Sequence, residues 1–487
     1  MPSLAGRDSA QLPAVRLTAG DRERLLRHAR EARKRARRRH RDAVLASVTV
    51  DVDPAVDPSA VVACGRVPGE PWTVFEQRDR DRRVVATLGV VEAIEAAGAD
   101  RFARVARRWE ALCADAVGDL GTGLDGEGLL AVGGFAFTDE GATTPAWDGY
   151  AAASLHVPLL GIAGRGGRIR ATVALRVTAD GEPEALVDAA LDRVAALAPA
   201  RPPLLDPDPV HRGRVVSALP PAHYEEAVAR GVERIRAGEM EKIVLAREVQ
   251  VSGRPGWRSP DPAAVLGVMR EAYAGCCVLA VGRGERTFVA ATPELLVRRE
   301  GHRLATLALA GTTRRSSDPA VERHLGEHLM RSAKDRGEHA IVVRRILGRL
   351  DALALWTTAA EQPQVVQAAS VQHLATPIRA QLARPIPVVE LAGRLHPTPA
   401  VGGFPEPVAL PLIPALEGMD RGWYAGPVGW TDSAGDGEFC VALRSALLEP
   451  ELARCFAGVG VVADSDPAAE LAETEAKLQA LLPLLAG

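Results

Sequence analysis

Ala222 to Val251 reads AHYEEAVARGVERIRAGEMEKIVLAREVQV, and its two parts ask for different backbones. The first spaces its apolar residues as a helix does and runs into Gly238, which predicts a helix over 222–237. KIVLAREVQV, from Lys242, then predicts a strand with almost no connecting loop. Further along, strands are predicted at 287–290, 295–299, 426–430, 440–448 and 456–462, and helices at 319–349, 386–394 and 467–485. Helices and strands follow one another in no regular order. That pattern favours an α+β architecture with antiparallel sheets over a doubly wound parallel sheet. Upstream, Leu45–Val52 and Ile169–Val177 read as strands, and Ala103–Ala116 and Pro183–Leu197 as helices. The Pro-rich stretch ARPPLLDPDPVHRGRVVSALPP (200–221) predicts a boundary between an N-terminal subdomain, 1–210, and a C-terminal catalytic region, 218–487. No helix-opening pattern follows Gly164-Arg165-Gly166-Gly167, so this cluster reads as a hairpin turn rather than a phosphate cradle.

The chain has 487 residues, 47% of them hydrophobic and 25% charged, with a net charge of −3. Such a composition excludes wholesale disorder and gives no global attraction to nucleic acid or acidic lipid. Aromatic residues make up only 4%, too few for base-stacking platforms. Cys64, Cys113, Cys276, Cys277, Cys440 and Cys455 form no C-x-x-C pair, so they read as small core residues in a reducing, cytoplasmic compartment. No apolar run approaches the roughly 18 residues that span a bilayer, and no signal peptide opens the chain, which predicts no membrane association. One segment breaks the charge balance: Arg22–Arg41, RERLLRHAREARKRARRRHR. It reads either as a patch for an anionic partner or as a solvated helix supported by the i,i+4 pairs Glu23–Arg27 and Glu31–Arg35.

Several residues in the second part could carry chemistry. Asp335 and Glu338 are spaced i,i+3 on one predicted helix, and Glu470 and Glu473 on another, with Lys477 one turn after Glu473. Two such carboxylate pairs could converge on a hard cation such as magnesium, although paired acids on helices are more often solvated faces. Lys242 and Glu294 stand at strand margins in apolar settings and are candidates for a base and an acid. Spacing alone reads them equally as a snorkelling lysine and a satisfied turn acid. His373, Tyr424 and Arg444 admit the same two readings.

The wording of the motifs is more specific than their spacing. EKIVLARE (241–248), ATPELL (291–296), LAGTTRR (309–315), AKDRGEH (333–339), SVQHL (370–374), HPTPAVGGFP (396–405), GWYAGPVGW (422–430), GEFCVALRSA (437–446), AGVGVVADSDP (457–467) and ELAETEAKL (470–478) occur in this order. Together they resemble the chorismate-utilising enzymes, a family of isochorismate, salicylate, anthranilate and aminodeoxychorismate synthases. The resemblance implies the family's α+β fold of layered antiparallel sheets wrapped by helices. The first 210 residues resemble the family only diffusely. Departures are few: Asp335 stands where some members have glutamate, Val459 where alanine is common, and the basic segment has no evident counterpart.

Three positions imply the branch of the family. Lys242 stands where water-using members carry a lysine base and ammonia-using members carry glutamine. Ala310 replaces the nucleophilic lysine of aminodeoxychorismate synthases, and Ala400 the threonine typical of members that release pyruvate. The implied activity is a magnesium-dependent isochorismate synthase, with a salicylate synthase as the enzymatic rival. A non-catalytic ligand-binding or nucleic-acid-associated protein, using Arg22–Arg41, is the rival from another class.

The resemblance also implies roles for single residues. Lys242 would activate water and Glu294 would protonate the departing hydroxyl, so the lysine must act neutral and the glutamate protonated. Glu338 and Glu473 would hold Mg2+, with Asp335 and Glu470 supporting through waters. Arg444, Tyr424, Gly458 and Gly460 would bind the enolpyruvyl carboxylate. His373 would line the pocket near C4, and Gly311 and Thr312 would contact the substrate. No glutamine amidotransferase partner is implied, and a monomer is expected.

Overall fold

The computed structural model describes residues 13–121, 126–206, 209, 211–368 and 371–487; Ser370 of the SVQHL motif and positions 207, 208 and 210 of the Pro-rich stretch lie outside the described residues. Among the described residues, thirteen strands form one sheet and ten form a second. Pairing is antiparallel throughout, save for Ala46 and Ser47 beside Val117 and Gly118. The fold is therefore α+β.

Alternation along the strands builds the layers, because successive side chains leave a strand on opposite faces. Phe75, Leu279 and Phe288 of the large sheet join Val132, Phe135, Val297 and Phe439 of the smaller one in a single apolar core. Their neighbours Val74, Val278 and Val289 belong to a second core, which also takes Leu25, Ala29, Ala32 and Ala36 of the first helix. Strands from either side of the Pro-rich stretch are adjacent in both sheets: Val278 pairs with Glu76, and Val428 with Gly134.

The quoted helix and strand are present as Pro221–Arg236 and Lys242–Ser252. Proline opens the helix, where its missing N–H is no loss, and Gly238, at φ +78°, turns the chain out of it. Three predicted elements are divided, among them the helix expected over 467–485, which is Pro467–Leu478 and Leu482–Ala486. The helix expected over 319–349 is two helices, Pro319–Arg331 and Ala333–Asp351, because Ser332 caps the second through its side chain, which accepts from the Asp335 N–H. The strand expected over 440–448 is also two, Gly437–Val441 in the smaller sheet and Ser445–Leu448 in the larger.

The Gly-rich cluster is a two-residue hairpin, with Arg165 paired to Arg168 and Gly166 and Gly167 both at positive φ. The basic segment is the helix Ala19–Arg39, seated by its four buried apolar residues. Its charges do not form the expected pairs. Arg22 and Arg30 reach Asp188 and Glu184, Arg35 donates to the carbonyls of Asp115 and Ala116, and Glu31 takes Arg38 instead of Arg35. Packing sets the helix's rotation, and so directs most of its arginines toward acids and carbonyls elsewhere in the chain. Five of the six cysteines are buried and Cys64 is half-buried. No described helix is long and apolar enough to cross a membrane.

Candidate active site

The site lies where the chain twice changes sheets. Strand Arg286–Thr292 belongs to the large sheet and Leu295–Glu300 to the smaller, with Glu294 on the step between them. Arg444 occupies the corresponding step between Gly437–Val441 and Ser445–Leu448, at φ +49°. Each step ties the other: the Val441 N–H donates to the Glu294 carbonyl (3.0 Å) and the Ala291 N–H to the Arg444 carbonyl (3.1 Å). Two buried ionisable side chains are thereby fixed to one rigid frame.

Glu294, Gly311, Thr312, Glu338, His373, Ala400, Tyr424, Arg444, Gly458, Gly460 and Glu473 line one narrow, polar cavity of about 60 Å3. Lys242 stands behind this lining. It is wholly buried, and its Nζ lies 2.8 Å from Glu338 Oε1. A Cβ added at Gly460 would strike the Glu338 carboxylate and lie 2.8 Å from Lys242 Cε, so a side chain there would displace the ends of both. Gly311 is the extra residue of a bulge between the pairs Ala310–Leu374 and Thr312–His373, and its φ of +76° suits it to that place. A larger cavity of about 470 Å3, beside Trp147, Pro221 and Met419, contains none of the predicted residues.

Burial raises the Glu294 pKa to about 7, although the Thr398 hydroxyl (3.3 Å) and the charges of Lys242 and Arg444 pull it down. Glu338 behaves oppositely. Burial pushes it up, but Lys242, with Lys477 and Lys334 beyond, outweighs that and holds it below the usual carboxylate range. Burial, aided by Arg444 and Lys477, drives His373 well below the usual histidine range, and burial lifts Tyr424 to about 12. Two carboxyls of the same neighbourhood titrate high: Asp335 through burial and the nearby Glu338, and Glu470 through burial and the nearby Glu473.

The four predicted cation ligands are not equivalent. Glu338 and Glu473 face the cavity, each paired with a lysine, Lys242 and Lys477, at 2.8 Å; Glu470, off the lining, pairs with Lys334 (2.9 Å), and Asp335 packs against Gly311. Among the described residues, no three His, Cys, Asp or Glu side chains gather closely enough to enclose a metal. Four carboxyls in this neighbourhood are nonetheless hard-oxygen donors of the kind magnesium accepts, with one or two protein ligands and the rest from water and substrate.

The sequence pattern of the family described as chorismate binding enzyme matches residues 30–486. The chain belongs to this family. The match takes in nearly all of the first 210 residues and most of the basic segment, so the family's extent here is greater than the motifs alone indicate. The salicylate biosynthesis isochorismate synthase of Pseudomonas aeruginosa is 38% identical over 90% of this chain and 89% of its own. Among solved structures, the menaquinone-specific isochorismate synthase of Escherichia coli superposes with a TM-score of 0.75 at 26% identity, covering 94% of this chain and 99% of that one. Anthranilate synthase component I of Streptococcus pneumoniae shares the fold at a TM-score of 0.62 and 18% identity, over 90% and 92% of the two chains.

For this chorismate-binding enzyme, sequence reasoning overlooked two supports of the site. Thr398 lies inside the quoted HPTPAVGG stretch, and its hydroxyl reaches Glu294. Arg421 immediately precedes GWYAGPVGW and pairs with Glu417 at an i,i+4 spacing (2.5 Å), a signal that was available. It also donates to the carbonyls of Val244 (2.9 Å) and Val401 (2.8 Å), joining the Lys242 strand to the segment that carries Ala400.

Proposed function

We propose that the protein is an isochorismate synthase. Lys242 would take a proton from a water attacking C2 of chorismate while Glu294 gives its proton to the departing C4 hydroxyl, with the ring double bonds shifting between the two carbons. One water enters and one leaves, so the reaction is an isomerisation without net redox. The observation that carries this reading is Glu294: a buried carboxyl on the lining of a polar cavity, its pKa raised by burial to about 7. Arg444 and Tyr424, with Gly458 and Gly460 beside them, would grip the enolpyruvyl carboxylate, and Gly311 and Thr312 would border the ring.

Glu338 and Glu473 would hold Mg2+, with Asp335 and Glu470 supporting. When bound, the ion would neutralise the ring carboxylate, a charge costly to bury. Ala400 supports isochorismate as the released product over salicylate. The product would feed menaquinone, siderophore or salicylate biosynthesis; salicylate and menaquinone stand in the names of relatives.

Incubating the protein with chorismate and Mg2+, with and without a chelator, tests the reading. Isochorismate building toward an equilibrium with chorismate, and stopped by the chelator, is expected. Salicylate with pyruvate, or no conversion, would overturn it.

A further inference from the structure

The hydrogen bonds around His373 determine where its proton sits. Nε2 lies 2.9 Å from Arg444 Nη2, and a guanidinium only donates, so Nε2 accepts. Nδ1 lies 3.2 Å from the Gly311 carbonyl, which only accepts, so the ring's single proton is on Nδ1; Thr312 Oγ1 is a second neighbour at 3.1 Å. Both ring nitrogens are therefore engaged within the protein. The imidazole has no proton free for a ligand on its Nε2 side and no unused acceptor.

Arg444 depends on this arrangement. Its backbone is held at positive φ, on the step between sheets. Among the described residues, its guanidinium bonds to His373 through Nη2, while its Nε is buried without a hydrogen-bond partner. One donor is anchored and another is left for a ligand. The anchor itself is rigid, since Gly311 and Thr312 belong to the bulge that faces His373 across the paired strands.

From this geometry we infer that His373 is a positioning residue, a neutral acceptor that aims Arg444 at the substrate's carboxylate and exchanges no proton with the reacting ring. The inference rests on the reading of Arg444 as the carboxylate anchor, and it differs from a histidine at the C4 side that takes part in hydroxyl loss. The proton remains on Nδ1 throughout the cycle.

Two measurements test it. In steady-state kinetics with chorismate and Mg2+, His373→Ala should raise KM about tenfold, the order expected for one lost orienting hydrogen bond, with kcat within about threefold of wild type. His373→Gln, whose amide oxygen can accept from Nη2 at the Nε2 position, should restore KM to within about threefold. A fall in kcat of about a hundredfold or more at unchanged KM in both variants is the mark of a lost proton-transfer group and would overturn the inference. Nitrogen-15 NMR of the histidine rings, with His373 assigned by its absence in the Gln variant, should show a bare Nε2 and a protonated Nδ1. A protonated Nε2 would overturn it as well. The NMR measurement needs no turnover, so a wild-type protein that made no isochorismate would count against the proposed function while the tautomer still decided the role of His373.

Discussion

The basic helix Ala19–Arg39 and the wall of the active-site cavity both set cations against carboxylates, and they do so at opposite depths. Arg22 and Asp188 meet at 2.7 Å with 42% and 53% of their side chains exposed. Lys242 and Glu338 meet at 2.8 Å with 0% and 14% exposed. Water screens the first pair, which contributes little to stability. The second must offset the loss of hydration of both ions, and a buried pair of this kind is at best a weak stabiliser. A pair that contributes little to folding, beside Gly460 on the cavity wall, fits the proton-transfer role proposed for Lys242.

Predictions ordered by expected effect sharpen that contrast. Glu294→Gln keeps the shape of the buried carboxyl and removes its proton. It should lower kcat by about 10²- to 10⁴-fold while the melting transition stays cooperative, as checked by product chromatography and calorimetry. Near wild-type turnover would break the assignment.

Arg421→Ala should come next, with a loss of about 3–5 kcal/mol in denaturant unfolding, since it strands the buried Glu417 charge. The double change Arg421→Met with Glu417→Leu should recover most of that loss. If the single and double variants unfolded alike, this pair would behave like the surface pairs and the contrast would fail.

The third prediction concerns pH. The Glu294 pKa is raised by burial from 4.5 to about 7, so its contribution to stability is complete below about pH 4.5 and is lost as pH rises through about 7. Glu294→Gln should flatten the stability change, and its stability relative to wild type should improve over that interval. A wild-type stability, measured by denaturant unfolding, that rose across the same range would contradict the shift.

Least of all, Arg22→Ala should cost under about 1 kcal/mol, and less still in 1 M salt.

Much of this was legible before any coordinates. The Lys242 strand, the helix before it and the α+β class follow from periodicity and from the glycine and proline stops, which are local signals. Every motif residue predicted for the cavity has a traceable position, most of them on its lining. What sequence reasoning misread were the breaks. Ser332 lies within a helical pattern, and only its capping bond to Asp335 divides the run. VALRSALL around Arg444 reads as part of one mostly apolar strand, yet the chain changes sheets within it. Thr398 and Arg421 went unremarked because their importance depends on Glu294 and on the Val244 and Val401 carbonyls, which are distant in sequence.

By itself, the sequence determined the secondary-structure class, the family resemblance and the identity of the groups that could carry chemistry, because periodicity, caps and motif wording are properties of short stretches. Only the tertiary structure decided their states. Glu294 is raised to about 7 because burial outweighs the Thr398 hydroxyl and the charges near it, and Glu338 is held below its usual range because Lys242, 2.8 Å away, outweighs burial. His373 carries its proton on Nδ1 because Arg444 faces its other nitrogen. Protonation depends on neighbours, and these neighbours come from strands far apart in the chain.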